Sequence, residues 1–454
     1  MSERFDVIVL GAGSAARDGA ARAHELGARV AMIERERWGG SCPNVACRPT
    51  KAYLVAAEQV YDVNTHAANR GVRSGRATVD MAALRRWKDS LRRTQESWRE
   101  LLGERYETLA GEASFVGPRT VGVDGRELTA DRILIATGSR TAVPPVPGIE
   151  DVDWLDHVSA LELERVPESL LVVGAGPVGL EFAQIFSRFG SRVTIVNHGP
   201  QIAARADAEA AAELQAALEQ EGIEVVLDAG VDAFRRDGGS VIALVAGREI
   251  RVSDVLLASG RRPNTEELAV DVAGVETDRG FVVVDDRQRT SAEGIWAAGD
   301  VAVGPMFTPT AQYQARVAVA DMLDTGERHA DYAYLPTAIF TDPELGAVGL
   351  TESEARAAGH DVDVVKHPLK AVTRAQYVGA EHGLYKIVFD RATRRVLGVH
   401  VVVRGASDIV GSLAVALGLG ATVDDLALVH HVYPSYSEGV KAAAEQALRT
   451  HARA

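Results

Sequence analysis

Cysteine is nearly absent from this sequence, with two residues in 454. So few exclude the disulfide-dense scaffold of a small secreted domain and the cysteine cage of a structural zinc site. Long hydrophobic runs are missing as well. The most apolar stretch, Ile409 to Val423, is diluted by Gly and Ser and flanked by Asp408 and Asp424, short of the ~18 uninterrupted apolar residues of a membrane span. Nor is there an excess of positive charge. Forty-nine Lys and Arg stand against 63 Asp and Glu, a net charge of -14, so nucleic acid and anionic membranes are not expected partners. The opening apolar segment Phe5–Leu10 is too short for the core of a secretory signal and runs straight into glycines. The cytoplasm is the expected compartment. What remains is an ordinary globular composition, 46% hydrophobic and 25% charged, in a chain long enough for about three domains.

One unit occurs twice. Its first copy is an apolar strand, Asp6 to Leu10, then Gly11-Ala12-Gly13-Ser14-Ala15-Ala16, an Ala/Arg-rich helical segment, and a strand Arg29 to Ile33 ending on Glu34. The second runs Leu170 to Val173, Gly174-Ala175-Gly176-Pro177-Val178-Gly179, a helical segment through Phe189, and a strand Arg192 to Val196 ending on Asn197. Glu34 follows Gly13 by 21 positions, and Asn197 follows Gly176 by the same 21. The spacing has a physical reason. The first glycine makes the tight turn, the second lets backbone approach a pyrophosphate, and a small third residue, here Ala16 or Gly179, lets helix pack on strand. The helix N-terminus then offers its N–H groups and dipole to the phosphates. One such motif arises by chance; two in matched strand–turn–helix context predict two dinucleotide-binding domains. Glu34 can accept both ribose hydroxyls of an adenosine, which suits FAD or NAD. Asn197, followed by His198, carries no charge to repel a 2′-phosphate, so NADPH is admitted and slightly favoured at the second site, with NADH still open. Arg132 to Ala136 reads as a strand ending in Thr137-Gly138-Ser139, and Val255 to Ala258 as one ending in Ser259-Gly260-Arg261. Each would lie at the carboxyl edge of its sheet, where ligands bind in open α/β folds. Gly294 to Asp300 reads as a further strand whose terminal Asp300 can bond a flavin's ribityl hydroxyls.

The two cysteines lie five positions apart in Gly39-Gly40-Ser41-Cys42-Pro43-Asn44-Val45-Ala46-Cys47-Arg48-Pro49-Thr50-Lys51. Positions i and i+5 of a regular helix are on the order of 8–9 Å apart, beyond the ~7 Å a disulfide spans. The pair therefore cannot share unbroken helix, and Pro43 with the Gly39-Gly40 run supplies the irregularity. Pro49 suits the first turn of a helix continuing through Lys51 and Ala56. A thiol at that N-terminus, near Arg48 and Lys51, gains nucleophilic thiolate.

With these motifs together, the sequence resembles the class I pyridine nucleotide-disulfide oxidoreductases, the family of dihydrolipoamide dehydrogenase, glutathione reductase and mercuric reductase. The resemblance runs over essentially the whole chain, including Ala298-Gly299-Asp300 and Phe340 to Thr351. It implies an α/β fold with two Rossmann-like domains of glutathione-reductase type and a C-terminal α+β dimerisation domain. It divides the chain into an FAD domain (1–150), an NAD(P) domain (151–268), a central segment completing the FAD site (269–333) and an interface domain (334–454). It implies FAD held by Gly11, Gly13, Ala16, Glu34, Gly40, Ser41, Thr137, Gly138 and Asp300, and a nicotinamide held by Gly174, Gly176, Gly179, Asn197, His198 and Gly260. Cys42 would be the interchange thiol, Cys47 the charge-transfer thiol beside the flavin, and Lys51 and Glu181 a pair near the flavin N5 edge. No resident metal is expected. A homodimer is, with the segment Tyr433–Glu438 reaching the partner subunit's active site.

The departures are informative. Dithiol-handling members carry His-x-His-Pro near the C-terminus, the second His being the acid/base and a Glu five residues on orienting it. Here the segment is His431-Val432-Tyr433-Pro434-Ser435-Tyr436-Ser437-Glu438. Glu438 is kept, but Tyr433 takes the acid/base position, and a phenol with a pKa near 10 is a donor rather than a base at neutral pH. Tyrosine here is similar to the mercuric reductase branch, yet that branch also uses a C-terminal cysteine pair, and no cysteine follows Cys47. The expectation is an FAD-dependent NAD(P)H oxidoreductase whose Cys42–Cys47 disulfide exchanges electrons with a small disulfide, dithiol or electrophilic acceptor. A metal-ion or quinone reductase, and a slowly turning flavoprotein redox sensor, are the alternatives. Asp80 to Leu102 is expected to form one long Arg-rich amphipathic helix with a solvated face.

Overall fold

The computed structural model describes residues 3–323, 325–326 and 328–451, with side chains through 449; the last residues of the expected interface range, 452–454, lie outside it. Two compact units form. One is built from the described residues within 1–49, 86–142 and 260–331, the other from those within 50–85, 143–259 and 332–454.

In the first unit Glu3–Leu10 pairs in parallel with Val30–Glu34 on one side and Arg126–Ile135 on the other. The sheet runs Glu107–Ala110, Val30–Glu34, Glu3–Leu10, Arg126–Ile135, Thr120–Val123, Ala113–Gly117, and Ile295–Ala297 also pairs with Arg126–Ile135. The unbroken apolar run Val7–Leu10 has its cause in this position. Val7 and Val9 pack with Ala15, Ala16, Ala20 and Ala23 of the helix Ser14–Glu25, while Ile8 and Leu10 pack on the opposite face with Phe115, Val121 and Leu128. A parallel strand covered on both faces has no use for polar alternation. Gly19 sets the closeness of helix to sheet, since a Cβ there would come within 2.6 Å of Leu134 Cδ2.

The second unit repeats the plan. Its parallel sheet runs Glu224–Val226, Arg192–Val196, Ser169–Val173, Asp254–Leu257, Trp154–Leu155. Leu170 and Val172 serve one core, Leu171 and Val173 another. The helix Pro177–Phe189 buries Leu180, Phe182, Ala183, Ile185 and Phe186 and ends at Gly190 in the left-handed region. The same unit holds an antiparallel sheet, Thr337–Ile339, Glu344–Gly349, Val396–Val403, Leu384–Asp390, Val362–Pro368, with the helices Ala406–Gly418 and Glu438–His451. This is the α+β element expected at the C-terminus.

One expectation needs correcting. The 80–102 stretch is two helices, Met81–Ser90 and Gln95–Gly103. Thr94 starts the second by accepting from Ser97 N–H at 3.1 Å, and its hydroxyl competes with continued helix. Its arginines do not all face water: Arg92 donates to Asn44 O at 3.1 Å. Arg261–Pro263 pairs with Ser139–Thr141 in the first unit.

Candidate active site

In the first unit the chain leaves Glu3–Leu10 through Gly11, at φ 106, with the carbonyl of Ala136 standing where a Cβ would be. Only glycine fits that turn. Gly13, at φ -72, caps Ser14–Glu25 with no side chain of its own, and the nearest atom to a Cβ there is Gly40 Cα at 3.9 Å. Ala16, in the first turn of that helix and packed with Val7 and Val9, is fully buried. Glu34 accepts from Ala12 N–H at 2.9 Å through one oxygen, and from Glu36 and Arg37 N–H at 2.8 and 3.0 Å through the other. The strand end thus presents a fixed carboxylate beside an uncapped helix N-terminus and an open cradle. These residues fit the adenosine and pyrophosphate of FAD.

Further round the same sheet edge, Thr137 donates to Asn264 O at 2.7 Å, and Asn264 returns bonds to Thr137 O and to Gly138 O, both at 2.9 Å. Ala142 N–H donates to Gly260 O at 3.0 Å. Ser139 donates to Asp300 Oδ2 at 3.1 Å. The turn before Asp300 is held by Gln314, which accepts Gly299 N–H at 2.8 Å.

The cysteine segment is broken as the five-residue spacing demands. Gly39 and Gly40 have φ of 90 and 76, and Gly40 lies so close over Gly13 that a Cβ would strike its Cα. A single turn, Ser41–Asn44, carries Cys42. Asn44 anchors it by donating to Trp38 O and Gly40 O at 3.0 and 2.7 Å. The helix Cys47–Tyr61 then starts at the second cysteine with Pro49 in its first turn. Cys42 is half-buried and Cys47 exposed, and Cys47 Sγ lies 3.7 Å from Thr308 Oγ1. Thr308 and Gln314 escaped sequence reasoning because their helix, Thr308–Met322, carries no motif.

In the second unit Gly174 repeats Gly11, at φ 106 with Ala258 O in the Cβ position. Gly176 repeats Gly13, capping Pro177–Phe189 at φ -79 with nothing among the described residues within 4 Å of a Cβ. Gly179 must be glycine, because a Cβ would enter Gly174 O. Asn197 Oδ1 accepts from Ala175 N–H at 3.2 Å, the same bond that Glu34 makes to Ala12. Its Nδ2 donates to Gly199 O and Gln201 O at 3.3 and 3.0 Å. The exposed His198 ring lies against Gly230. This cradle fits a nicotinamide dinucleotide's pyrophosphate on the same grounds.

Lys51 and Glu181 form an ion pair, Nζ to Oε1 and Oε2 at 2.9 and 2.8 Å. Glu181 is buried and also accepts Phe340 N–H at 3.1 Å, while Lys51 Nζ sits 4.2 Å from the Phe340 ring centroid. Tyr433 is 72% exposed, and its hydroxyl donates to Thr373 Oγ1 at 3.3 Å. Glu438 begins the helix Glu438–His451. The neighbouring imidazole is otherwise engaged: His431 Nδ1 lies 3.0 Å from Ser437 Oγ, which lies 3.0 Å from Ser435 Oγ. Burial and the charge of Lys441 hold His431 below the usual imidazole range against the pull of Glu438.

Comparison with known proteins agrees with this geometry. Residues 5–315 match the family model of pyridine nucleotide-disulphide oxidoreductases, and residues 335–444 match the dimerisation domain of the same family. A dihydrolipoyl dehydrogenase of Thermus scotoductus is 40% identical over 97% of this chain and 97% of its own length. A mercuric reductase of Staphylococcus aureus is 36% identical over 97% of this chain and 82% of its own length. The HOCl-induced flavoprotein disulfide reductase RclA of Escherichia coli superposes with a TM-score of 0.88 at 29% identity, covering 97% of this chain and 99% of that one. The paired nucleotide cradles, the broken cysteine turn and these matches have one reading: the chain belongs to the pyridine nucleotide-disulphide oxidoreductases, enzymes that work with FAD and NAD(P)H.

Proposed function

We propose that this enzyme uses NAD(P)H to reduce a small disulfide or comparable electrophile through the Cys42–Cys47 pair. The observation that carries the reading is the contact of Gly40 with Gly13, which sets the Cys42 turn directly against the first dinucleotide cradle. Bound FAD supplies two-electron carriage between the nicotinamide and the cysteine pair. The remaining steps belong to the chain. Cys42 thiolate attacks one sulfur of the acceptor R–S–S–R, forming a mixed disulfide and releasing one RS⁻. Cys47 thiolate then attacks Cys42 Sγ, closing the Cys42–Cys47 disulfide and releasing the second RS⁻. Two protons convert the leaving thiolates to thiols, and the sum is NAD(P)H + H⁺ + RSSR → NAD(P)⁺ + 2 RSH. Tyr433, a hydroxyl donor in place of histidine, protonates a leaving thiolate but is a poor base for running the exchange backwards. Reduction of the acceptor is the working direction. Lys51 and Glu181 hold each other as an ion pair, and Glu438 supports the Tyr433 segment.

The four-part division, FAD domain, NAD(P) domain, central segment and interface domain, is retained as the functional division. A homodimer is proposed on the dimerisation-domain match. The exposed apolar side chains Val415, Leu419, Leu428 and Val432 fall in that range, as an interface requires. NADPH is preferred at the second site because Asn197 Nδ2 points at two carbonyls and puts no negative charge beside the adenosine ribose.

A second reading, reduction of a soft metal ion, rests on Tyr433 at the histidine position and on the mercuric reductase relatives. One experiment separates the readings. Steady-state NADPH and NADH oxidation is followed with disulfides, metal ions and quinones, using wild type and Cys47→Ser. Disulfide turnover that is lost in Cys47→Ser supports the first reading. Full turnover by Cys47→Ser with the best acceptor refutes it, and activity confined to metal ions selects the second.

A further inference from the structure

Beside the Cys42 turn lies a cation the reaction above does not use. Arg17 stands one turn into the first nucleotide helix, its N–H bonded to Gly13 O at 2.9 Å. Its guanidinium lies over Trp98, Cζ 4.8 Å from the ring centroid, and Arg93 approaches the same ring at 5.7 Å. Trp98 is buried and fixed from below, since a Cβ on Gly39 would meet its Cε2 at 2.6 Å. The ring is therefore a rigid floor beneath the Gly39-Gly40 turn that leads into Cys42.

Arg17 is not spent inside the protein. It makes no ion pair among the described residues. Asp18, the adjacent acid, is taken by Arg316 at 2.7 and 3.1 Å. Arg92 is likewise taken, by Asp89 at 2.8 Å and by Asn44 O. The Nε of Arg17 is buried and has no hydrogen-bond partner among the described residues. Leaving a buried guanidinium N–H unmade is costly, and such a group calls for an explanation, such as a partner from outside the chain. Burial pushes the Arg17 guanidinium below its ordinary range, and the charge of Cys42 is the strongest influence opposing that.

We propose that Arg17, on its Trp98 floor and with Arg93 alongside, is an anion subsite next to the interchange thiol, and that the acceptor carries a carboxylate or similar anionic group. The guanidinium fork matches a carboxylate in plane and hydrogen-bond count, and an aromatic floor keeps it from turning away. This deepens the disulfide-reductase reading and rests on it: Arg17 would select which electrophile meets Cys42, favouring an acid such as a dicarboxylic disulfide over a neutral amide.

The test separates failure of the subsite from failure of that reading. Reduced holoenzyme is alkylated with iodoacetate or with iodoacetamide, and modification of Cys42 is quantified by peptide mass spectrometry. Both reagents need the same thiolate, so the ratio of their rates isolates attraction of an anion. Arg17→Ala should lower the iodoacetate-to-iodoacetamide ratio at Cys42 by about 5-fold, and Arg17→Lys should restore most of it. In turnover, the ratio of kcat/KM for 3,3′-dithiodipropionate over bis(2-hydroxyethyl) disulfide should fall in Arg17→Ala, chiefly through KM. An alkylation ratio unchanged by Arg17→Ala overturns the subsite. A ratio that falls while wild type reduces neither disulfide supports the subsite and overturns only the disulfide reading.

Discussion

Substituting the middle glycine of each nucleotide motif separates what the fold needs from what the cofactor needs. Consider Gly176→Ala. Its backbone, φ -79 and ψ 179, is open to any residue, and nothing lies within 4 Å of the new Cβ. Two small effects on the fold oppose each other. Removing a glycine's unfolded freedom stabilises by roughly 0.4–1 kcal/mol, and alanine is a poorer helix N-cap than glycine by about the same amount. The melting temperature should stay within about 2 °C. Binding is another matter, because the methyl group stands in the cradle. A pyrophosphate pushed off the helix N-terminus loses charge-assisted hydrogen bonds worth about 1.5–3 kcal/mol, or roughly 10- to 150-fold in Kd. The assay is calorimetric titration of FAD-loaded protein with NADP⁺ and NAD⁺, with thermal unfolding measured alongside. Gly179→Ala is the contrast: its Cβ enters Gly174 O, so it should lower the melting temperature even without ligand. A Gly176→Ala protein of unchanged stability that binds nicotinamide within 3-fold of wild type would falsify the placement of the pyrophosphate.

Two further outcomes follow from side chains already described. Tyr433→His should raise dithiol oxidation on the order of 10²-fold, with a new inflection near the ordinary imidazole value of about 6.5 in the pH profile of kcat/KM with dihydrolipoamide; unchanged dithiol turnover would remove Tyr433 from the proton path. Lys386, 2% exposed, binds Asp207, Glu209 and Glu352 at 2.8, 2.8 and 3.0 Å. Lys386→Met should therefore cost about 3–5 kcal/mol at pH 7. Burial alone would raise Asp207 and Glu209, but the bond from Lys386 to Asp207 and those from Lys366 and then Lys386 to Glu209 prevail and hold both below the ordinary range, as the Lys386 bond also does for Glu352. Their contribution is present above the unfolded carboxylate range near pH 4 and is lost as pH falls through the lowered folded values. The gap in melting temperature between wild type and Lys386→Met should accordingly narrow on acidification below pH 4, and a gap that widens there would contradict this charge cluster.

Much of this architecture could be read from the chain because local signals and tertiary demands coincided. A glycine at φ 106 backed by a carbonyl leaves its mark directly in the residue type, so Gly11 and Gly174 were legible, and so was the break between Cys42 and Cys47 that Pro43 and the paired glycines announce. Lys51 and Glu181 were legible only through the family pattern, being 130 positions apart. The 80–102 segment misled because its charge pattern is helical throughout, while the interruption is set by Thr94 and by docking of Arg92 on Asn44. Thr308, Gln314 and the Arg17–Trp98 stack were invisible for a related reason. Each acts through a long-range approach of two elements that leaves no periodicity or spacing in either.

The bond from Asn197 Oδ1 to Ala175 N–H, matched by Glu34 to Ala12, bears on how freely a duplicated module can change its ligand. The pin that holds strand end to glycine turn needs one oxygen, so the second atom on the same side chain is at liberty to drift without disturbing the scaffold. In the first unit that atom is an oxygen and gathers two N–H groups; in the second it is an amide nitrogen and gathers two carbonyls. With the loop carbonyls of Gly199 and Gln201 facing it, an acid in place of Asn197 would meet repulsion. The two halves, built on one blueprint, have become non-exchangeable through the polarity of a single atom.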